Sequence, residues 1–414
     1  MYENKDEAQK VLLISVDTGL YDIDVDLNEL EELTETAGGI VVGKIVQKRP
    51  DPDKTTYIGI GRLEEAAEFC ENYKVDLVIF DDELTASQIR NTEKVLKCNV
   101  IDRTMLILDI FAQRAVTAEG RLQVELAQQK YLLPRLSGIG TELSRLGGGI
   151  GTRGPGETKL ESDKRHIRRR INALEEQLDI IKNKRKLLRD RRKKDNVTTV
   201  AIVGYTNVGK STLLNALTDA GVLAENKLFA TLDPTSRALT LPSGRNVILI
   251  DTVGLVRRLP HHLVEAFKST LEEAANADLI LNMCDASSNE MTEQISVTKE
   301  LLTSLGAEGI PIITVMNKCD ILPEIPLHID NNTVLLSAKT GYGFDNLLNS
   351  IEKALNPTHK RLKLLIPYSE TGLLNEIRKD GKVFSEEFTA DGTLTDALVD
   401  IKIMYKCKDF IFNE

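Results

Sequence analysis

A nine-residue stretch near the middle of the chain restricts the fold more than any other feature. It follows the apolar run Val200–Val203 and precedes a helical pattern that includes Leu213, Leu214 and Ala216. A strand, a glycine-bounded loop ending in Gly-Lys-Ser and a helix, in that order, are the context that a phosphate-binding P-loop requires. The stretch consists of Gly204, Tyr205, Thr206, Asn207, Val208, Gly209, Lys210, Ser211 and Thr212.

The residue types of this loop suit a bound nucleoside triphosphate. Backbone N–H groups at a helix start point at phosphates and carry partial positive charge. Lys210 would reach the β and γ oxygens, and the Ser211 hydroxyl would ligate Mg²⁺. The alternative interpretation is a glycine-rich connection that binds nothing.

A second motif follows the apolar strand 247–250 and makes that alternative weaker. It consists of Asp251, Thr252, Val253 and Gly254. The Asp251 carboxylate could hold a Mg²⁺-bound water, and the Gly254 N–H could sense the γ-phosphate. The sequence therefore predicts a nucleotide site that distinguishes a triphosphate from a diphosphate.

Two further motifs predict which base is bound. Asn317, Lys318 and Asp320 follow the apolar strand 312–316, and an aspartate there could accept the paired N1–H and amino protons of guanine. Adenine does not present that pair of donors, so the motif favours GTP over ATP. After the strand 333–336 come Ser337, Ala338 and Lys339, where the Ala338 N–H could meet the guanine O6.

The four motifs in this order resemble the translation-factor class of P-loop GTPases. Within that class, residues 228–235 resemble the first switch of the HflX family. The resemblance implies that Phe229, Ala230 and Thr231 border the nucleotide. It makes Thr231 the second Mg²⁺ ligand beside Ser211, with Thr235 as the competing choice.

Length and composition indicate several globular domains. The chain has 414 residues, 42% of them hydrophobic and 28% charged. No apolar run approaches ~18 residues, and the acidic first residues do not form a signal peptide, so we expect a cytoplasmic protein. Peripheral membrane association stays open. The five scattered cysteines have no paired spacing, so we interpret them as reduced thiols.

Residues 11 to about 101 alternate apolar runs with helical patterns, which predicts a small parallel α/β domain. Gly59-Ile60-Gly61 lacks the third glycine of a dinucleotide fingerprint, so we interpret it as a strand-to-helix turn, with a nucleotide loop as the alternative. Whether this domain also binds ATP stays open.

From the N-cap Asp102 the chain becomes helical, with a pause at Glu119-Gly120 and a stop at Pro134. A second helix is predicted from about Glu161 to Lys194, with an apolar seam at spacings of four, three, four and three. The seam residues are Ile167, Ile171, Leu174, Leu178 and Ile181. Two long helices joined by a connector predict an antiparallel helical hairpin.

The second helix is strongly basic. Residues 164–194 contain 14 Lys or Arg and four Asp or Glu, a net of +10 in a chain whose net charge is −10. A basic rod on an acidic protein favours a phosphate-backbone partner over a solvated coiled-coil surface. The predicted RNA contacts on this helix are Arg168, Arg169 and Arg170.

The connector between the helices, residues 136–157, contains eight glycines and one proline. Glycine lets a main chain approach closely, so this segment could lie against an RNA backbone. The predicted contacts are Arg145, Gly147, Gly148, Gly149 and Arg153.

Four segments of the hairpin resemble the hallmark of the HflX family. They are residues 122–128, 132–136, 147–158 and 160–161. With the GTPase motifs, the similarity covers roughly residues 10 to 390. It implies a monomer that binds the large ribosomal subunit near the peptidyl-transferase centre and separates the subunits. Many relatives carry an aromatic residue near Gly140, and this chain has no Trp, which puts base stacking by the loop in doubt.

Leu255 stands where Ras-like proteins place a glutamine that orients the attacking water, and leucine cannot do that. We therefore expect a low intrinsic rate of GTP hydrolysis that the ribosome stimulates, with Thr231 and Gly254 positioning the water and the γ-phosphate. His261 and His262 are alternative catalytic groups, although a surface position suits them better. The sequence assigns no certain catalytic residue.

The predicted fold class is α/β: a P-loop GTPase domain with an N-terminal parallel α/β domain, an antiparallel long-helix hairpin and a small C-terminal α/β domain. The predicted boundaries are 1–101 for the N-terminal domain, 102–195 for the helical hairpin, 196–357 for the GTPase domain and 358–414 for the C-terminal domain.

The leading function is a GTP-driven factor that splits ribosomes for rescue or recycling. A ribosome-assembly or rRNA-remodelling factor and a passive RNA-binding scaffold are the alternatives. Protection against ribosome-bound antibiotics stays open.

Overall fold

A computed structural model of the chain describes residues 8–136, 155–194, 197–218, 228–229, 234–258, 263, 271–324, 330, 332–355, 359–400 and 403–412. The chain divides into two compact units, one made of residues 1–239 and 248–344 and the other of 240–247 and 345–414. The first unit contains the N-terminal sheet, the long helices and the P-loop. The second contains the C-terminal sheet.

The N-terminal part is a parallel α/β domain, as predicted. Its elements are β1 (Lys10–Asp17), α1 (Ile23–Thr36), β2 (Ile40–Lys48), α2 (Ile60–Tyr73), β3 (Leu77–Phe80), α3 (Ala86–Leu96) and β4 (Asn99–Asp102). The strand order is β2-β1-β3-β4, and all three pairings are parallel. Residues 11–16 of the inner strand β1 are buried and, apart from Ser15, apolar, because both faces of the sheet are covered.

Local signals define the helices of this domain. The Asp22 carboxylate caps α1 by accepting the Asp24 N–H, and Thr85 and Gln88 form a capping box at the start of α3. Gly59 caps α2, and its N–H donates to the Gln47 side chain at 2.8 Å.

Three helices follow, α4 (Arg103–Arg114), α5 (Ala118–Arg135) and α6 (Pro155–Lys194). The break between α4 and α5 falls at residues 115–117 and not at Glu119-Gly120 as predicted. The Thr117 hydroxyl causes this, because it accepts the Gly120 N–H and so starts the helix earlier.

Helices α5 and α6 pack along the predicted apolar seam. Leu126, Ile171 and Leu174 are buried there, with further apolar side chains around them. Glu119 pairs with Arg185 at 2.6 Å, whereas the Lys130 ammonium lies 2.8 Å from Glu175, nearer the start of α6. Partners that advance along α5 therefore retreat along α6, as in an antiparallel hairpin.

The P-loop belongs to a six-stranded sheet of order β10-β9-β8-β5-β7-β6. Its elements are β5 (Thr198–Gly204), α7 (Lys210–Thr218), β6 (Thr235–Thr240), β7 (Asn246–Asp251), β8 (Leu279–Asp285), α8 (Met291–Ser304), β9 (Ile312–Asn317) and β10 (Thr333–Leu335). The pairings that join β5, β8, β9 and β10 are parallel, so the carboxyl ends of these strands meet at one edge. Ligands of open α/β sheets bind at that edge.

The second unit contains α9 (Phe344–Ala354) except for its first residue, followed by a small three-stranded antiparallel sheet of order β11-β13-β12. The remaining elements are β11 (His359–Ile366), α10 (Thr371–Asp380), β12 (Lys382–Thr389), β13 (Gly392–Asp400) and α11 (Met404–Cys407). One core of apolar residues, which includes Leu364, Ile377 and Val399, joins this sheet to α10.

Within the described parts of the chain, the model has no helix with the length and hydrophobicity needed to cross a bilayer.

Candidate nucleotide site

The P-loop is shaped by two glycines that no other residue could replace without strain. Gly204 has φ +147°, and a Cβ on it would lie 2.2 Å from the Met283 carbonyl oxygen of β8. Gly209 has φ +94°, and its Cβ would lie 2.3 Å from the Asn317 amide nitrogen. Between them Asn207 also adopts a left-handed conformation, at φ +60°. The loop therefore wraps closely around the start of α7.

Lys210 is buried at the centre of this loop, with 7% of its surface exposed. Its ammonium donates to the Gly204 carbonyl at 3.1 Å and to the Tyr205 carbonyl at 2.6 Å. Burial lowers the pKa of Lys210 to about 8, partly opposed by the nearby Asp251 carboxylate. A buried cation whose hydrogen bonds go to neutral carbonyls has a strong electrostatic reason to bind an anion.

The lowered pKa of Lys210 predicts proton uptake when nucleotide binds. A phosphate beside the ammonium raises this pKa, so at pH 8 about half a proton should be taken up per nucleotide, because about half of the lysines are deprotonated there. Titration calorimetry with GDP at pH 8 in buffers of different ionisation enthalpy measures this uptake. The uptake should fall towards zero at pH 7, and its absence at pH 8 would contradict the pKa assignment.

Ser211 and Asp251 place two oxygen donors side by side. The Ser211 hydroxyl donates to the Asp251 carboxylate at 2.7 Å, and Asp251 is fully buried at the end of β7. Mg²⁺ prefers oxygen ligands and keeps several waters, so a hydroxyl with a nearby carboxylate fits this ion beside a phosphate. The ligand roles of Ser211 and, through water, of Asp251 stay predictions.

The segment after Asp251 runs directly against the P-loop. Thr252 uses its hydroxyl to donate to the Ile202 carbonyl at 2.8 Å, which aligns the segment with β5. A Cβ at Gly254 would lie 3.0 Å from the Lys210 ammonium. Gly254 and Lys210 are thus close enough to contact one phosphate group, as the sequence predicts.

Leu255 is held in place through its backbone. Its N–H donates to the Gly204 carbonyl at 3.1 Å, and its carbonyl accepts the Thr206 N–H at 2.8 Å. The side chain is 5% exposed. In this arrangement an apolar side chain fills the position where other GTPases carry a water-orienting amide.

Asn317 connects the phosphate end of the site to the base end. Its amide nitrogen donates to the Val208 carbonyl at 2.7 Å, and its amide oxygen accepts the Ala338 N–H at 2.8 Å. The side chain is therefore occupied by two loops. Asn317 was predicted as a nucleotide contact, and the structure gives it a bridging position that the sequence did not indicate.

The other predicted base-side residues surround Asn317. Lys318 adopts a left-handed conformation and pairs with Asp285 at 2.6 Å. Although burial raises the pKa of Asp285, hydrogen bonds from Lys318 and Ser287 lower it below its usual value. Asp320 is exposed in a short 3-10 turn, where its carboxylate can meet a base.

The loop of Ser337, Ala338 and Lys339 lies where the sequence predicts it. Ser337 is buried, and its hydroxyl accepts the Thr340 N–H at 3.2 Å. Ala338 is buried beside Asn317, whereas Lys339 is exposed. The loop begins after β10, so four predicted motifs, at Gly204, Asp251, Asn317 and Ser337, follow the ends of strands of one sheet.

The first switch is described only in part. Leu228 and Phe229 are buried, and Phe229 packs edge-on against Phe111 of α4 with ring centres 4.5 Å apart. Ala230 and Thr231 lie outside the described residues, as do the alternative catalytic groups His261 and His262. Thr235 is the first residue of β6. The choice between Thr231 and Thr235 as a metal ligand stays a prediction.

A cavity of about 260 Å³ beside the P-loop has walls that the sequence did not indicate. Asn28, Glu29 and Glu32, from helix α1 of the N-terminal domain, line this cavity. Asn207 of the P-loop and Lys318 also line it. Contacts between residues so far apart in the chain leave no periodic signal. Among these residues, only Asp285 carries a signal in the sequence, because it is a charged residue at the end of the apolar strand β8.

The predicted RNA contacts are described on α6 only. Arg168 and Arg169 are exposed, whereas Arg170 makes a two-pronged contact with Glu125 of α5, at 2.6 and 2.7 Å. Arg145, Gly147, Gly148, Gly149 and Arg153 lie outside the described residues.

A glycine-bounded loop with a buried lysine, a hydrogen-bonded Ser-Asp pair and an Asn-Lys-Cys-Asp turn at one sheet edge define a P-loop GTPase. Family comparisons agree with this class. Residues 24–112 match the model described as GTP-binding GTPase N-terminal, residues 114–192 that of the GTP-binding GTPase Middle Region, and residues 199–318 that of a 50S ribosome-binding GTPase.

Whole-chain relatives identify the family. The chain is 52% identical to the GTPase HflX of Caldanaerobacter subterraneus subsp. tengcongensis, over all of this chain and 96% of the relative. It is 48% identical to that of Lacrimispora saccharolytica, covering 100% and 99%, and 40% identical to that of Escherichia coli K12, covering 95% and 94%. The chain therefore belongs to the HflX family of GTPases, and it is an enzyme that hydrolyses GTP.

The matching solved structures share less sequence identity with this chain than those relatives do. A GTP-binding protein from the archaeon Sulfolobus solfataricus in complex with GDP matches with a TM-score of 0.45 and 25% identity, over 84% of this chain and 98% of that one. The structure titled as the complex of SsGBP and GDP matches with a TM-score of 0.48 and 26% identity, with the same coverage.

Proposed function

We propose that this GTPase binds the large ribosomal subunit through the basic helix α6 and, in its GTP-bound form, separates the ribosomal subunits. Mg²⁺ and GTP are its cofactor and substrate, and the ribosome stimulates its hydrolysis. The family comparisons support a ribosome-binding GTPase, because residues 199–318 match a model described in those words. The cytoplasm, where ribosomes act, is the proposed location, and a monomer is the proposed form.

The observation that carries the proposal is the distribution of charge on α6. Arg170 and Arg185 point towards α5, where Glu125 and Glu119 pair with them. Arg165, Arg168 and Arg169 are exposed, as are Lys184, Lys186 and Arg191 further along the helix. One side of the helix is thus joined to its neighbour through ion pairs, while the exposed side presents cations that could neutralise backbone phosphates.

The test of splitting is a sucrose gradient of intact ribosomes mixed with the protein. With a non-hydrolysable GTP analogue, separate subunits should accumulate and the protein should travel with the large one. With GDP, intact ribosomes should remain. Binding to the large subunit without any separation would instead favour the alternative function, a ribosome-assembly or rRNA-remodelling factor. An absence of binding would overturn the proposal.

Charge reversal on the exposed side of α6 should weaken ribosome binding. We expect Arg168→Glu with Arg169→Glu to reduce affinity about tenfold or more at moderate salt, because two phosphate contacts become repulsive. The slope of log affinity against log salt should flatten by about two units. Co-sedimentation at several salt concentrations measures both. Arg170 is left intact, because its loss would also disturb the packing of α6 on α5.

The matched control is Lys48→Glu with Lys54→Glu, which makes the same change in net charge at two exposed positions of the N-terminal domain. This control should bind ribosomes as the unchanged protein does. Equal weakening by both double variants would mean that only net charge matters. The nucleotide affinity of both should stay unchanged, because neither pair lies at the nucleotide site.

A further inference from the structure

Two cysteines of the N-terminal domain lie side by side, although 28 positions separate them in the chain. Cys70 is in the last turn of α2, and Cys98 lies between α3 and β4. Their sulfur atoms are 3.9 Å apart, which is within hydrogen-bonding range for sulfur. We call these two residues the cysteine pair. All five cysteines of the chain belong to the described residues, and all five are free thiols.

The fold brings the cysteine pair together through the pairing of β3 with β4. These strands are parallel, and Leu77 lies opposite Asn99 at their start. Helix α2 precedes β3 and helix α3 precedes β4, so both helices end at the same edge of the sheet. Each helix ends in a left-handed cap, at Lys74 and at Lys97. The backbone of two neighbouring helix-strand units therefore places the two sulfurs together.

The two cysteines differ in their access to solvent. Cys70 is 5% exposed and belongs to the apolar core that also contains Leu63 and Val75. Cys98 is half-buried and packs against the margin of the same core. A small oxidant that arrives from solvent therefore reaches Cys98 first, with Cys70 directly behind it.

The contact between the two thiols also makes their chemistry unequal. The hydrogen bond with Cys70 lowers the pKa of Cys98, although burial and the Glu93 carboxylate of α3 oppose this. The same hydrogen bond and burial raise the pKa of Cys70. Because the thiolate is the reactive form of cysteine, Cys98 is favoured as the first sulfur to react. Its exposure and its acidity thus give the same order of reaction.

We propose that the cysteine pair is a reversible oxidation site, at which hydrogen peroxide converts the two thiols into a disulfide. The Cys98 thiolate attacks one peroxide oxygen, the O–O bond breaks, and Cys98 becomes a sulfenic acid. The Cys70 sulfur then attacks the Cys98 sulfur, so that the S–S bond forms and the S–O bond breaks. Two electrons pass from the pair to the peroxide, and the two thiol protons complete two molecules of water.

The structure is close to the geometry that the second step needs. A disulfide is about 2.05 Å long, so the sulfurs have to approach by about 1.9 Å. Cys98 lies between the cap at Lys97 and the first residue of β4, outside both regular elements, and it is the residue that can shift. Closure joins α2 to the start of β4. It also removes the sulfenic acid before irreversible oxidation to sulfinic acid.

Reduced thiols are the resting state of this pair. In the cytoplasm, which is the proposed location of the chain, thiol reductants reverse most disulfides. The bond therefore forms only during exposure to peroxide and opens again afterwards. Because neither cysteine lines the cavity beside the P-loop, the affinity for GDP should not change when the bond forms.

Peptide mapping of the purified full chain tests this proposal. After treatment with hydrogen peroxide, the native protein should have three alkylatable thiols in place of the five of the untreated protein. Trypsin should then release peptides 63–74 and 98–103 joined to each other. Dithiothreitol should separate them and restore all five thiols. In concentrated urea the same treatment should give several different pairings, because the fold no longer selects one.

Variants separate the roles of the two sulfurs. In Cys70→Ala, dimedone should trap Cys98 as a sulfenic acid, and longer exposure should give sulfinic acid. In Cys98→Ala, the buried Cys70 should stay reduced. The matched control is Cys407→Ala, which removes a buried cysteine of the second compact unit. This control should form the joined peptides as the unchanged protein does.

Joined peptides as the main product, in protein that still binds GDP as before, would support the oxidation site. Three results would overturn it. Peroxide might leave all five thiols free, oxidise Cys98 to sulfinic acid without joining the peptides, or join Cys284 or Cys319 as readily as the pair. None of these results bears on ribosome splitting, because the sucrose gradients contain no oxidant.

Discussion

Replacing Lys210 with alanine is expected to weaken binding of Mg·GTP by about 100-fold or more, which corresponds to ~3 kcal/mol. The ammonium is buried among carbonyl oxygens and has no second cation beside it in the described loop. Charge-assisted contacts from a desolvated group are the strongest that such a site can offer to a phosphate. A fluorescence titration with a labelled GTP analogue measures the loss.

Lys299→Ala is the matched control, since this exposed lysine of α8 is not part of any predicted nucleotide motif. It should bind GTP like the unchanged protein. An affinity of Lys210→Ala within threefold of the unchanged protein would refute the P-loop assignment. Because the alanine variant also removes a buried charge, its fold should be at least as stable, and a melting curve can verify this.

Asp320→Asn is expected to reverse the choice of base. A carboxylate accepts both the N1–H and the amino group of guanine, whereas an asparagine offers one acceptor and one donor. Xanthine presents an N1–H and a 2-oxo acceptor, which match asparagine. We expect GTP affinity to fall about 100-fold and xanthosine triphosphate affinity to rise by a similar factor, because each mismatched polar pair costs about 1–3 kcal/mol.

Competition titrations with both nucleotides measure this reversal, and Asp330→Asn serves as the control. Asp330 precedes β10, and only its backbone carbonyl has a described hydrogen bond, to the Thr333 N–H. This control should keep its preference for GTP. If Asp320→Asn still prefers GTP, another group reads the base, and the exposed position of Asp320 would then have no part in selectivity.

The sequence predicted those parts of the molecule that local chemistry specifies. The glycines at 204 and 209, the apolar strands and the polar residues at the strand ends form one site because parallel strands bring their carboxyl ends together. The seam of α6 was also predicted, since Ile171 and Leu174 repeat at a helical spacing. The break near Thr117 was misplaced by a few residues, because a single capping hydroxyl determines it.

Contacts between distant parts of the chain could not be predicted. Neither the Thr36 contact to Leu228 nor the ion pairs of Arg258 follow from the spacing of residues, because the partners lie more than 170 positions apart in the chain. Asn317 was predicted to bind nucleotide, and its bridging role depends on two loops whose positions only the fold determines. Charge counting on α6 likewise could not show that Arg170 pairs with Glu125.

The bridge that Asn317 makes between Val208 and Ala338 has a consequence for fidelity. One side chain sets the distance between the loop at the base and the loop at the phosphates. A nucleotide whose base shifts the Ala338 loop would therefore also shift the Val208 carbonyl and, with it, the amides that are predicted to hold the phosphates. Nucleotides with another base would therefore bind less tightly. Those that did bind would also be hydrolysed more slowly.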